Sequence, residues 1–144
     1  MASVFGKFPM AKRKISLKEK LLKFVELVKD KHPLVLAVLY GSYAKGEPRS
    51  FSDIDVALFL KEMKGKRLDL LTEMHRLAWE VDSLIEVNVF SIENLFSANK
   101  LNFIGEILET GKIIYIDTRE ISIKEIKRLL NRLGKKDLVT IQNL

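Results

Sequence analysis

Two aspartates, Asp53 and Asp55, stand two residues apart around the start of the apolar run Ile-Asp-Val-Ala-Leu-Phe-Leu over residues 54–60. Residues two apart on a strand project from the same face, with their Cα atoms about 6.6 Å apart. Two like charges beside apolar residues are costly unless a counter-charge neutralises them. Carboxylate oxygens at this spacing suit Mg²⁺, or a pair of such ions about 3.5–4 Å apart. The aspartate pair therefore predicts a metal site.

A turn of small residues precedes the aspartates. Gly41 and Ser42 follow the apolar segment 34–39, which predicts a strand that ends in a tight turn. The backbone amides of such a turn and the Ser42 hydroxyl could hold phosphate oxygens. A Gly-Ser turn alone is more often only a turn, and a lone Asp-x-Asp is more often a solvated strand end. Together they favour a combined metal and phosphate site.

The residues of this stretch resemble a known signature. The pattern Gly-Ser-x-Ala-x-Gly over residues 41–46, followed by Ser-Asp-x-Asp over 52–55, is similar to that of the DNA polymerase β-like nucleotidyltransferase superfamily. Within the superfamily it resembles the minimal nucleotidyltransferase (MNT) branch, and the likeness extends over residues 34–116. The pattern lacks the Gly-Lys-Ser/Thr ending of a P-loop and the ligand spacing of an EF-hand.

The resemblance implies a third carboxylate on a strand beside the paired aspartates. Glu86, in the alternating segment 84–90, best matches that position, and Asn88 on the same predicted face is its rival. Only the glutamate can act as an anionic ligand and proton acceptor. If Asn88 is the true match, the third acid is missing, and the protein is a catalytically weak or inactive antitoxin or partner-binding module.

The resemblance also implies an activity and a partner. A Mg²⁺-dependent enzyme of this family transfers a nucleoside monophosphate, AMP from ATP or the nucleotide of another triphosphate, to a hydroxyl and releases pyrophosphate. The implied metal ligands and catalytic residues are Asp53, Asp55 and Glu86, and the implied nucleotide-binding residues are Gly41, Ser42, Lys45, Arg49 and Ser52. Lys45 and Arg49 are equally well explained as solvated loop cations. Small members of the family work beside a separate helical HEPN protein, in some cases as the antitoxin of a toxin pair.

Composition limits the alternatives. A chain of 144 residues suits one domain, and the absence of cysteine excludes disulfides and thiolate metal sites. No long apolar run or signal peptide stands out, so we expect a cytoplasmic protein. The net charge of +6 favours a polyanionic partner. Nucleic-acid binding through Lys12, Arg13 and Lys14 is less favoured, and homo-oligomerisation stays open.

The order of elements predicts an α/β or α+β fold with a mixed sheet and helices packed mainly on one face. Hydrophobic periodicity and capping boxes at Ser16 and Ser122 predict helices at 17–31, 70–81, 101–108 and 123–133, and strands at 34–39, 53–60, 84–90 and 113–116. We expect a flexible basic arm over residues 1–15, one nucleotidyltransferase domain over 16–134 and a tail over 135–144, in which 138–141 could add an edge strand.

The second predicted helix carries Thr72, His75 and Trp79 on the side opposite its apolar stripe. An outward tryptophan can mark a protein contact, and the alternative is that Trp79 packs under a neighbouring loop or the C-terminal helix. His75 and His32 lack metal-ligand spacing, so both are expected to be ordinary surface residues.

Overall fold

The computed structural model describes residues 15–48, 52–135 and 137–141. Arg49 and most of the predicted basic arm lie outside the described residues. In chain order the elements are α1 (Leu17–Lys29), β1 (Leu34–Tyr40), α2 (Gly41–Ala44), β2 (Ile54–Leu60), α3 (Arg67–Trp79), β3 (Ile85–Ser91), α4 (Ile92–Phe96), α5 (Phe103–Thr110), β4 (Lys112–Ile116) and α6 (Ile123–Arg132).

The four strands form one sheet in the order β3-β2-β1-β4. The central strand β1 is antiparallel to β2 and to β4, whereas β2 and β3 are parallel and are connected through α3. The predicted mixed sheet is therefore confirmed. Its register places Tyr40, Asp55 and Glu86 side by side on three neighbouring strands.

Helices lie on both faces of the sheet, a more even division than the sequence pattern predicts. Alternate residues of a strand point to opposite faces, and the buried apolar residues accordingly form two clusters. The two longest helices, α1 and α3, supply Leu21, Phe24, Val25, Val28, Leu70, Met74, Leu77 and Ala78 to one cluster. The shorter helices α4, α5 and α6 supply Leu95, Ile107, Leu108, Ile126, Leu129 and Leu130 to the other.

Both predicted capping boxes are present. The Ser16 and Ser122 hydroxyls each accept a hydrogen bond, at 3.1 Å, from the backbone amide three residues later. Two short helices were not predicted. The first, α2, replaces the turn expected at Gly41, and the second, α4, starts where the Ser91 amide donates to Asn94 at 3.0 Å. Helices of four or five residues are too short to show a hydrophobic period.

The described end of the chain lies against β4. Thr140 forms a single parallel bridge with Ile113, whose amide donates to the Val139 carbonyl at 2.8 Å. Ile141 is buried in the cluster that α1 and α3 cover. The segment thus makes one bridge rather than a full edge strand. In the part of the chain that the structure describes, no helix combines the length and apolar character needed to cross a bilayer.

Candidate active site

The turn after β1 lies directly against the carboxylate of Asp55. Gly41 has φ of +72°, a left-handed conformation that disfavours side chains. A β-carbon added at Gly41 would overlap Oδ2 of Asp55. The backbone of the Gly-Ser turn and this carboxylate are therefore in close contact, and glycine is the residue that permits it.

Asp55 is the middle member of a row of side chains that crosses three strands. Its Cα pairs with Tyr40 of β1 on one side and with Glu86 of β3 on the other. Asp53 is exposed and lies just before β2 begins, rather than on the strand as the sequence pattern predicts. Burial, and then the charges of Asp53 and Glu86, raise the pKa of Asp55. The charges of Asp53 and Glu86 are thus each close enough to Asp55 to oppose its ionisation.

The register also separates the two candidates for the third acid. Glu86 lies beside Asp55, whereas Asn88 lies beside Ala57, two residues further along β2. Glu86 is therefore the residue of β3 that adjoins the paired aspartates. The glutamate side chain is 58% exposed, so its carboxylate has room to turn.

Asp55, with the like charges of Asp53 and Glu86 near it, has the chemistry of a site for a hard divalent cation, because such a cation removes the repulsion and prefers oxygen ligands. Among residues 15–48, 52–135 and 137–141, however, no three acidic or histidine side chains converge into a ready-made metal cage. The donor set fits Mg²⁺ in kind, and its side chains would have to turn toward one another around the ion.

His75 is not the ordinary surface residue that the sequence predicts. Its Nδ1 lies 3.0 Å from the Leu71 carbonyl, and its Nε2 lies 3.2 Å from the Val87 amide nitrogen. A neutral imidazole with the proton on Nδ1 satisfies both partners, an assignment made from the hydrogen-bond network. Nε2 is also 3.5 Å from Glu86, but that contact becomes an ion pair only if His75 is protonated. Protonation would remove the acceptor for Val87.

Arg67, a second side chain of α3, binds the backbone of β3, as His75 does. The Arg67 guanidinium donates to the Val89 carbonyl at 2.6 Å. Backbone groups of an edge strand are otherwise free to pair with another chain. His75 and Arg67 therefore fix β3, and with it Glu86, from the helix side. The other histidine, His32, is also more than a surface residue, since its Nε2 contacts Glu73 at 3.1 Å.

The sequence analysis overlooked Tyr40 and the contact that Asn88 makes with it. The Asn88 side-chain amide donates to the Tyr40 hydroxyl at 2.7 Å, and both residues are half-buried. Burial raises the pKa of Tyr40; the bond from Asn88 lowers it, and the charges of Asp55 and Glu86 raise it further. The sequence did contain a signal for this contact, because Tyr40 directly precedes the Gly-Ser turn and Asn88 shares a strand face with Glu86.

The remaining predicted nucleotide-binding residues surround the turn. Ser42 is half-buried in α2, Lys45 is exposed at the C-terminal end of α2, and Ser52 is half-buried just before Asp53. Arg49 lies outside the described residues. An open groove of about 630 Å³, lined in part by Tyr43 and Lys112, adjoins this turn.

Two other hollows lie away from the acids. Hollows of about 410 and 390 Å³ share His32 and Pro33 and lie at the end of the sheet opposite the acids. A third hollow is lined by Thr72, His75, Arg76 and Trp79. Trp79 is 66% exposed, so the outward orientation is confirmed and the alternative of packing under a loop is wrong.

Residues 22–120 match the family profile described as Polymerase beta, Nucleotidyltransferase. A comparison with curated protein sequences finds no match.

The fold is similar to that of solved toxin-antitoxin structures. A chain of MntA-HepT in a double aspartate-to-glutamate variant is 19% identical, with a TM-score of 0.54, over 77% of this chain and 84% of that one. A toxin-antitoxin structure with AMP-PNP is 23% identical, with a TM-score of 0.52, over 77% of this chain and 87% of that one. MntA-HepT itself is 20% identical, with a TM-score of 0.50, over 78% and 82% of the two chains. At these identities the likeness shows the fold, and it agrees with the resemblance to the MNT branch.

Proposed function

The chain belongs to the polymerase β nucleotidyltransferase family, and on that premise we propose that it transfers a nucleoside monophosphate, AMP from ATP, to a hydroxyl of a separate protein. The observation that carries the proposal is the row formed by Asp55 and Glu86 on adjacent strands, with Asp53 close by and the Gly41 backbone against Asp55. Such an arrangement joins a phosphate-binding turn to an acidic metal site.

In this proposal Asp53, Asp55 and Glu86 would hold Mg²⁺, and the chemistry that the ion would supply is neutralisation of charge on the triphosphate and on the pyrophosphate leaving group. The backbone amides near Gly41 and the Ser42 hydroxyl hold the distal phosphates. Ser52, Lys45 and Arg49 are proposed as further phosphate contacts.

The proposed chemical step is an in-line displacement. Glu86 accepts the proton of the acceptor hydroxyl, whose oxygen forms a bond to the α-phosphorus. The bond from the α-phosphorus to the bridging oxygen breaks, and the electron pair leaves with pyrophosphate. Positioning and electrostatic stabilisation supply most of the acceleration in phosphoryl-type transfers. The raised pKa of Asp55 is consistent with a carboxylate that awaits a cation.

We propose a helical HEPN protein as the acceptor. The MNT resemblance and the toxin-antitoxin structures of similar fold support this partner. The surface beside the acids also suits a protein acceptor, because Phe103 is 49% exposed and its ring contacts Tyr40 at 5.8 Å. Phe96 and Leu101, in and after α4, are exposed as well. A partner that covered Phe103 would lie near Tyr40, which pairs with Asp55 in the sheet.

A second candidate function is a partner-binding module that keeps the fold and has little or no turnover. The observation that favours it is that the acids of the described ranges do not converge into a metal cage. Metal-dependent nucleotide binding separates the two candidates, because only the enzyme requires it.

The test begins with calorimetric titration of ATP, and separately of the other triphosphates, with Mg²⁺ or with EDTA. Wild type is compared with Asp53→Ala/Asp55→Ala and with a control, Glu62→Ala/Glu80→Ala, which removes two exposed acids elsewhere. The enzyme predicts Mg²⁺-dependent binding that the first double variant loses and the control keeps.

Transfer is then tested with α-labelled ATP and a purified HEPN protein, and the modified residue is identified by mass spectrometry. Label on a HEPN hydroxyl with wild type but not with Asp53→Ala/Asp55→Ala supports the proposal. Failure of every triphosphate to bind in the presence of Mg²⁺ would make the partner-binding module the better description.

A further inference from the structure

The hydrogen bond between Tyr40 and Asn88 joins two strands that are not neighbours. Tyr40 is on β1, Asn88 is on β3, and β2 lies between them. Strands are about 4.8 Å apart, so the bonded side chains span roughly 9.6 Å of sheet. The β2 residue beside Asn88 is Ala57, which is small and fully buried. The tyrosine side chain therefore crosses β2 where that strand leaves room for it.

The tyrosine ring is also held from the helix side. Phe103 of α5 contacts it edge to face, with the rings at 82° to each other. Phe90 of β3 packs against Phe103 at 6.5 Å and stacks on Phe59 of β2 at 5.3 Å. These aromatic contacts restrict the ring of Tyr40, so its hydroxyl is kept close to β3.

The Tyr40–Asn88 hydrogen bond ends on β3, the strand that carries Glu86. β3 is an edge strand, with β2 as its neighbour in the sheet. Glu86 and Asn88 project from the same face of β3, and the charges of Glu86 and Asp55 repel each other. Like charges on adjacent strand positions oppose the close approach of Glu86 to Asp55.

We propose that Tyr40 and Asn88 form a brace that keeps the backbone of Glu86 beside Asp55, so that the Glu86 side chain can turn to a divalent cation there. The two are positioning residues that act through Glu86. The inference rests on the proposed function only in taking Glu86 as the third ligand. Residues that orient metal ligands typically contribute about 10- to 100-fold to metal affinity.

The experiment measures Mn²⁺ binding to the purified protein without nucleotide, by electron paramagnetic resonance. It compares wild type, Tyr40→Phe, Glu86→Gln and Tyr40→Phe/Glu86→Gln. Tyr40→Phe removes only the hydroxyl and keeps the ring packed on Phe103. Tyr115→Phe makes the same change on β4, on the far side of β1 from the acids, and is the matched control. Asn88→Ala removes the other half of the brace and serves as an independent variant if Tyr40→Phe melts early.

We expect Tyr40→Phe and Asn88→Ala to weaken Mn²⁺ binding by about tenfold or more when Glu86 is present. In the Glu86→Gln background Tyr40→Phe should change binding by less than about twofold, because the brace has no ligand left to position. Tyr115→Phe should bind Mn²⁺ as wild type does.

An equal loss in both backgrounds would overturn the brace, since a general structural defect does not depend on Glu86. If wild type transfers nucleotide and Tyr40→Phe binds Mn²⁺ as wild type does, the brace is refuted and the proposed function stands. Glu86-dependent weakening in a protein that transfers no nucleotide would support the brace and refute the proposed activity. Failure of wild type to bind Mn²⁺ without nucleotide would overturn the brace, and the transfer assay with labelled ATP would still decide the proposed function.

Discussion

Asp55→Asn should make the metal-free protein more stable, although it removes a proposed catalytic group. Burial and the charges of Asp53 and Glu86 raise the pKa of Asp55 above its unfolded value of about 3.9. The ionised carboxylate therefore costs folding free energy at neutral pH. Asparagine has nearly the same shape, so it keeps the contact with Gly41 and removes the charge.

The size of the gain follows from Coulomb's law. We take the separation of the Asp53 and Asp55 charges as about 6.6 Å, the Cα spacing of residues two apart in an extended chain. At that distance two unit charges repel by about 0.6 kcal/mol in water and about 2.5 kcal/mol at an effective dielectric constant of 20. Asp53 is exposed and Asp55 is half-buried, so solvent screening favours the lower part of this range. We expect a gain of about 1 kcal/mol, which corresponds to about 2–4 °C in Tm for a chain of this size.

The assay is thermal unfolding followed by circular dichroism, in EDTA at low ionic strength. Glu47→Gln, which removes an exposed acid from the loop after α2, is the control for the change in net charge. The advantage of Asp55→Asn should be fully present above the folded pKa of Asp55 and should disappear as pH falls toward the unfolded value, because wild type then protonates the same group. High salt should reduce the advantage.

Divalent metal should reverse the order of stability. Mg²⁺ at about ten times its Kd stabilises the folded state by about 1.4 kcal/mol, and wild type alone should gain this because Asp55 is a proposed ligand. A Tm for Asp55→Asn equal to or below that of wild type in EDTA at pH 7 would refute the electrostatic account of the row.

Two further substitutions test particular contacts. Gly41→Ala should lose about 1 kcal/mol or more of stability and weaken Mn²⁺ binding, because the new β-carbon would overlap the Asp55 carboxylate. Gly46 has the same left-handed backbone, but a β-carbon added there would have no neighbouring atom within 4 Å. Equal losses of stability and of Mn²⁺ binding in Gly46→Ala and Gly41→Ala, by thermal unfolding and Mn²⁺ titration, would therefore exclude the overlap as the cause. Asp82→Asn should cost about 1–2 kcal/mol at pH 7, since Lys20 donates to Asp82 at 2.6 Å and Leu84 at 2.8 Å. Burial raises the pKa of Asp82, but these two hydrogen bonds outweigh it and the pKa is lowered. The stabilisation is therefore present above the unfolded pKa and lost as pH falls through the folded value, so urea unfolding at pH 7 and at successively lower pH should show wild type and variant converging.

The sequence by itself determined the family and most of the elements. The Gly-Ser and Asp-x-Asp patterns are local, and the match over residues 22–120 confirms the family that they indicate. Capping boxes and periodic apolar residues are also local signals, and they located the long helices and the four strands to within a few residues. The predictions for Lys45, Ser52 and the other nucleotide-binding residues stay predictions.

Only the tertiary structure determined which residues are neighbours across the sheet. Choosing between Glu86 and Asn88 depends on the register of β3 against β2, and strand register is set by packing across the whole sheet. The roles of His75 and Tyr40 depend on partners that are distant in sequence, Val87 for His75 and Asn88 for Tyr40. A hydrogen bond across an intervening strand produces no periodic pattern in the sequence, because it depends on the spatial order of three strands in the sheet.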